Sequence, residues 1–118
     1  MQNRGVIASA LHVLAIEEVS QAPADAFTAA ERAYAESKSD PERRLAARLA
    51  AKRAASDLLG VPIGEIEIQP ARGGPPRLSL SAAAQARLQA LGATHALVSL
   101  THGRAHAAAA VLLLGPGA

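Results

Sequence analysis

The chain has 118 residues, half of them hydrophobic and only 2% aromatic, which suffices for one domain over residues 1–118 with an aliphatic, alanine-rich core. Zero cysteines exclude disulfides, a thiol nucleophile and a thiolate metal site. A net charge of +2 with acids interleaved among the bases, and no aromatic platform for stacking bases, argues against a nucleic-acid partner.

Near the start, Arg4 is followed by His12, Glu17 and Glu18, which is not a signal peptide. No apolar run is long enough to span a bilayer, so a cytoplasmic protein without a membrane partner is expected. From Gly5 to Leu14 the chain reads as a strand, carried by Val6, Ile7, Leu11, Val13 and Leu14. His12 is its one ionisable side chain; a histidine there either does acid–base work or sits hydrogen-bonded at a surface. Ala22 to Glu36 reads as a short helix entered through a loop around Pro23. Thr28 and Glu31 fit a capping box, in which hydroxyl and carboxylate each accept from the other's backbone N–H. Phe27 is a candidate core anchor.

The longest helix runs over Arg43 to Gly60. Asp40 is placed to cap it, Pro41 suits its first position, Gly60 ends it and Pro62 stops it restarting. Ala46, Leu49, Ala50, Ala54 and Leu58, with Leu45 and Leu59, recur at spacings of three and four and make an apolar face. The alanines would let another backbone come close. Arg43, Arg44, Arg48 and Lys52 make a basic face, either solvated or turned to an anionic ligand or partner. Arg53 and Asp57 are one helical turn apart and able to pair. Val61 to Pro70 reads as a strand, Gly73-Gly74-Pro75-Pro76 as a turn, and Arg77 to Leu80 as a short strand. Ser81 caps a helix over Ala82 to Leu91, and Gly92 ends it.

Several of these stretches carry a family resemblance. Ala50-Ala51-Lys52-Arg53-Ala54-Ala55-Ser56-Asp57-Leu58-Leu59-Gly60 resembles, without a gap, the central helix of the holo-acyl-carrier-protein synthases, a group of 4′-phosphopantetheinyl transferases with a run close to F-A-A-K-E-A-x-S-K-A-L-G. Phe27-Thr28-Ala29-Ala30-Glu31 resembles the family's F-T-x-x-E, and Gly73-Gly74-Pro75 its G-x-P turn. Ala96 to His102 is similar to its V-S-L-S-H and Ala105 to Leu114 to its returning strand, the two closing a hairpin at Gly103-Arg104. The resemblance covers nearly the whole chain in order. It implies an α+β fold, a small antiparallel sheet packed against the long central helix, assembled as a homotrimer or as a mixed trimer with a relative. It implies coenzyme A or a pantetheine-linked ligand, and an acyl carrier protein as partner. On its terms Arg44, Arg48 and Lys52 would hold the phosphates, Ser99, Thr101 and His102 would line the cofactor groove, and Glu31 would lie near the active site. His95 and His106 have no such support.

Three departures stand out. The family's magnesium-binding Glu is Arg53 here, and its magnesium-binding Asp falls on Ala10, or on Ser9 if the register slips by one. The family's later Lys is Asp57. A guanidinium cannot bind Mg²⁺, which takes oxygen ligands at short distance. The expectation is therefore a divergent phosphopantetheinyl-transferase-like protein that does not use magnesium in the usual way. It is either repurposed, with His12, Glu31, Lys52, Arg53 and His102 as candidate catalytic groups, or a non-catalytic subunit that binds a carrier protein or partner. The alternative is an active synthase that transfers 4′-phosphopantetheine from coenzyme A to a carrier-protein serine, its metal held by other oxygens such as Glu31 or a partner chain's carboxylate.

Overall fold

The computed structural model describes residues 5–70 and 73–116; Arg4 lies outside them. The first strand, β1 (Val6–Ala15), alternates as a half-buried strand should. Leu14 is buried, while Leu11 and Val13 point away from the body of the protein and are 68% and 59% exposed. β1 pairs antiparallel with β5 (His106–Leu114), and β5 pairs antiparallel with β4 (His95–His102), so the sheet order is β1-β5-β4. The expected β4–β5 hairpin is present, closed where the Gly103 N–H donates to the His106 carbonyl at 2.8 Å. A second sheet of two antiparallel strands is made by β2 (Ile66–Gln69) and β3 (Arg77–Leu80).

Three α-helices accompany the strands among the described residues: α1 (Ala29–Glu36), α2 (Pro41–Leu59) and α3 (Ala82–Ala90). The helix expected from Ala22 begins only at Ala29. Pro23 holds extended backbone, and short 3-10 turns at Ile16–Gln21 and Ala24–Ala26 take up the preceding chain. The capping box sets the true start: the Glu31 N–H donates to Thr28 Oγ1 at 3.1 Å, and the Thr28 N–H donates to Glu31 Oε1 at 2.8 Å. The strand expected from Val61 likewise starts later, at Ile66, because Ile63–Glu65 forms another 3-10 turn after Pro62. Phe27 is buried, as expected of a core anchor.

α2 packs against β5, β1 and β4 on one side and against α1 and β2 on another. The single apolar face expected for it is therefore too narrow a description. Burial is unbroken from Leu45 to Lys52 and resumes at Ala54, Ala55 and Leu59. A helix enclosed on several sides needs small side chains, and its alanines let it approach β5, whose inward Ala107 and Ala109 are equally small. Gly60 ends α2 in the left-handed region, at φ 68°, where a side chain would be strained. The open Leu59 carbonyl at that end accepts from Arg87 Nε of α3 at 3.1 Å. At the other end Asp40 makes no capping bond; its carboxylate accepts instead from Arg44 Nε at 3.0 Å.

The basic face expected on α2 is not solvated throughout. Arg43 and Arg44 are partly exposed, but Arg48 and Lys52 are buried. Lys52 Nζ donates to Glu31 Oε1 at 2.7 Å, and Glu31 Oε2 accepts from the Ile68 N–H at 2.8 Å. One carboxylate thus joins α1, α2 and β2. No helix among the described residues is long and apolar enough to cross a membrane.

Removing one partner of this pair would strand a buried charge. Glu31→Gln and Lys52→Met should each destabilise the protein by about 3–5 kcal/mol in urea denaturation, and the double substitution by less than their sum.

Candidate functional site

Where α2 passes the end of β4, a cavity of about 380 Å³ opens, lined among others by Tyr34, Arg44, Arg48, Thr101 and His102. The helical period brings Arg44 and Arg48 to the same face of α2. Thr101 and His102 come from the last two positions of β4. The geometry therefore gathers Arg44, Arg48, Thr101 and His102 into one place, although they come from two separate stretches of sequence.

Arg48 is the most constrained of these groups. It is 4% exposed, its guanidinium lies 4.3 Å from the centre of the Tyr34 ring, and its Nη1 donates to the Arg44 carbonyl at 3.3 Å. Its Nε is buried with no hydrogen-bond partner among the described residues. Burial pulls its affinity for a proton down, and the neighbouring Tyr34 partly offsets this. An arginine nevertheless stays charged at physiological pH. Arg44 shares Asp40 with His102, whose Nε2 lies 3.7 Å from Asp40 Oδ2. The hydrogen bond from Arg44 holds the Asp40 carboxyl below the usual carboxylate range. Asp40 in turn pushes the Arg44 guanidinium up. No acidic side chain is among the residues lining the cavity. The arrangement is suited to an anion with several oxygens, since arginine offers paired donors in a fixed fork.

The other sequence-predicted residues lie elsewhere. Ser99 lines a neighbouring groove of about 640 Å³, shared with Pro75, Leu78, Leu97 and Leu112. Gly74 and Pro76 border both that groove and the cavity, so a charged recess and a more apolar one adjoin. Glu31 and Lys52 face each other in the interior rather than the cavity. His12 and Arg53 sit where β1 and the Ile16–Gln21 turn meet the C-terminal half of α2. There His12 Nε2 lies 2.6 Å from Asp57 Oδ2, and Arg53 Nη1 lies 3.7 Å from Glu18 Oε1. The Arg53–Asp57 pair expected along the helix is thus replaced by two pairs between segments. His95 and His106 are exposed, with His95 Nδ1 3.0 Å from the Thr94 hydroxyl.

These positions bear on the magnesium ion that the family resemblance implies. Ala10 offers a methyl group and Arg53 a guanidinium. The nearby carboxylates of Glu18 and Asp57 are already engaged, by Arg53 and His12 respectively. Among the described residues no group of three His, Cys, Asp or Glu side chains could hold a metal. The residues at positions 10 and 53 do not fit a magnesium ion.

Sequence reading missed Tyr34 and the second role of Asp40. Asp40 and Arg44 carry a helical-turn spacing that could have flagged their pairing. Nothing local marks Tyr34, because it meets Arg48 only through the packing of α1 on α2.

No protein-family model matches the chain. A holo-[acyl-carrier-protein] synthase of Nitratidesulfovibrio vulgaris (strain DP4) is 46% identical over 80 residues, covering 63% of this chain and 64% of that protein. The match thus spans just under two thirds of that relative's length. A holo-[acyl-carrier-protein] synthase of Anaeromyxobacter dehalogenans (strain 2CP-C) is 40% identical over 94 residues, covering 77% of this chain and 73% of its own. Among solved structures, a Chronobacterium ammoniagenes ACPS–CoA complex superposes with a TM-score of 0.70 at 26% identity, over 90% of this chain and 95% of that one.

The stack of Arg48 on Tyr34 can be tested through stability. Arg48→Lys keeps the charge but gives up the planar stack, and should cost about 1–2 kcal/mol in urea denaturation. Tyr34→Phe, which keeps the ring face, should cost less than Tyr34→Ala.

Proposed function

The chain belongs to the holo-[acyl-carrier-protein] synthase family, and from that we propose that it binds coenzyme A and transfers the 4′-phosphopantetheine to a serine of an acyl carrier protein. The observation that carries the reading is the cavity that collects Arg44, Arg48, Thr101 and His102. Coenzyme A presents phosphates joined to a long uncharged arm. The cationic recess suits the phosphates, and the adjoining groove that includes Ser99 suits the arm. In the reaction the serine oxygen attacks the phosphorus bonded to pantetheine. The bond from that phosphorus to the oxygen of the nucleotide portion breaks, 3′,5′-ADP leaves, and the serine proton passes to a base.

Arg44 and Arg48 would neutralise phosphate charge, Thr101 would donate from its hydroxyl, and His102 would donate from its ring to the same phosphates or take the serine proton. Glu31 and Lys52 would act from the interior, fixing the helix that carries the arginines. The magnesium ion has no carboxylates at positions 10 and 53, so we assign no step to it. The outward face of the three-stranded sheet presents Leu11, Val13 and Leu97, each more than half exposed. A face of this kind is suited to cover by further copies of the chain. This supports a homotrimer, or a mixed trimer with a relative, built from a single domain over residues 1–118. A cytoplasmic location fits a carrier-protein substrate.

One observation favours a second reading. Arg53, where the resemblance expects a metal carboxylate, lies 3.7 Å from Glu18, and Asp57 one turn on lies 2.6 Å from His12. On this reading the chain has other chemistry, drawing on His12, Arg53 and His102, or is a non-catalytic subunit that binds a carrier protein.

Incubation with coenzyme A and an apo acyl carrier protein, with and without Mg²⁺ and read by intact mass, separates the two. Gain of the phosphopantetheine mass is expected, with Arg48→Ala lowering the rate about 10²-fold. No gain, beside a competent relative that succeeds, would favour the second reading. Arg53→Glu combined with Ala10→Asp should create Mg²⁺ binding detectable by calorimetry, where the unchanged chain shows none at these positions.

A further inference from the structure

Asp40 stands between the two elements that supply the cavity's cations. Its Oδ1 accepts from Arg44 Nε at 3.0 Å, and its Oδ2 lies 3.7 Å from His102 Nε2. It occupies the N-cap position of α2 but makes no capping bond, so ending the helix does not explain the direction of its carboxylate. The contact uses the Nε edge of Arg44. The terminal nitrogens are left for the nearby Tyr34 hydroxyl and for a ligand in the cavity that Arg44 lines. Those nitrogens are the pair that matches two oxygens of a phosphate. Glu42 and Arg43 lie beside Asp40 at a separate surface recess and line no part of the cavity.

We propose that Asp40 is a positioning residue of the anion site, holding Arg44 from behind so that its terminal nitrogens already face the cavity when a phosphate arrives. The inference rests on the coenzyme A reading above. A long side chain left free must be ordered on binding, and that cost falls on the ligand's affinity. Asp40 removes the cost in advance. Its negative charge opposes the incoming phosphate, but its side chain is 21% exposed, and water and salt at the cavity mouth screen that repulsion. The charge-assisted hold on Arg44 Nε, by contrast, is lost when the carboxylate is removed.

The test is calorimetric binding of coenzyme A and of inorganic pyrophosphate to the full chain, its Asp40→Asn and Asp40→Glu variants, and an Arg44→Gln background. Asp40→Asn should weaken both ligands about fivefold, the size expected from re-ordering one arginine. Asp40→Glu, which keeps the charged acceptor, should recover most of that loss. In the Arg44→Gln background Asp40→Asn should change nothing, because the residue acts through Arg44. A purely structural role for Asp40 would give equal losses in both backgrounds and would overturn the inference. Unchanged or tighter binding by Asp40→Asn would overturn it as well, leaving the coenzyme A reading intact. If the unchanged chain binds neither ligand, the coenzyme A reading itself fails and this inference falls with it. Asp40→Ser, which can cap the helix through its hydroxyl, should match Asp40→Asn and so separates the effect from helix fraying.

Discussion

The buried pair between Lys52 and Glu31 is the constraint from which much of the structure follows. Lys52 is 1% exposed and lies on a helix enclosed by the sheet on one side and by α1 and β2 on another, so its ammonium cannot reach water. A lone buried ammonium would be very costly. Glu31 removes most of that cost, and its own desolvation is offset by accepting from the Thr28 and Ile68 N–H groups. The same carboxylate therefore closes the first turn of α1, fixes the rotation of α2 and pins the edge of β2. Such a node tolerates few alternatives, because each partner is buried and each depends on the others.

The rotation fixed at Lys52 carries outward to the cavity. Arg48 lies one helical turn earlier, on the same face, and is thereby directed at the ring of Tyr34. Arg44 continues the row to the cavity mouth and meets Asp40 and His102. Arg53 belongs to a different face. At 3.6 residues per turn it points roughly 140° away from Arg48, toward Glu18, and Asp57 one turn on meets His12. The chain thus presents two separate charged regions. The first has cations lining a cavity with no acidic side chain among its lining residues. The second pairs Arg53 with Glu18 and His12 with Asp57.

What could be read from the sequence was what short-range physics decides. The strand periodicity of β1, the Thr28–Glu31 box, the left-handed end at Gly60, the Gly73-Gly74 turn and the Ser81 cap depend on neighbours a few residues away, and each is present. The failures share one cause. Arg48 and Lys52 read as part of a basic face, either solvated or turned to an anion, because charge spacing alone does not reveal that Tyr34 and Glu31 lie across from them. Arg53 and Asp57 read as a local pair, but partners brought by β1 and the Ile16–Gln21 turn compete successfully for both. Asp40 read as a cap, although its carboxylate can reach a guanidinium one turn on and a histidine from β4. In each case a tertiary partner displaced the local one.

The same contrast sets the weight of the missing carboxylates. The motif places Arg53 where the family has Glu, which by itself suggests a lost site. The structure adds that the replacement is internally satisfied: Asp57 holds His12, Glu18 holds Arg53, and β1 and the turn after it remain tied to α2 without a metal. That arrangement ties β1 and the turn after it to α2 through side chains of this chain alone. In the proposed coenzyme A reading, recognition of phosphate would fall on the opposite half of α2, where Arg44 and Arg48 line the cavity and carry positive charge of their own. The two charged regions stand on different faces of a single helix, so a change in one need not disturb the other.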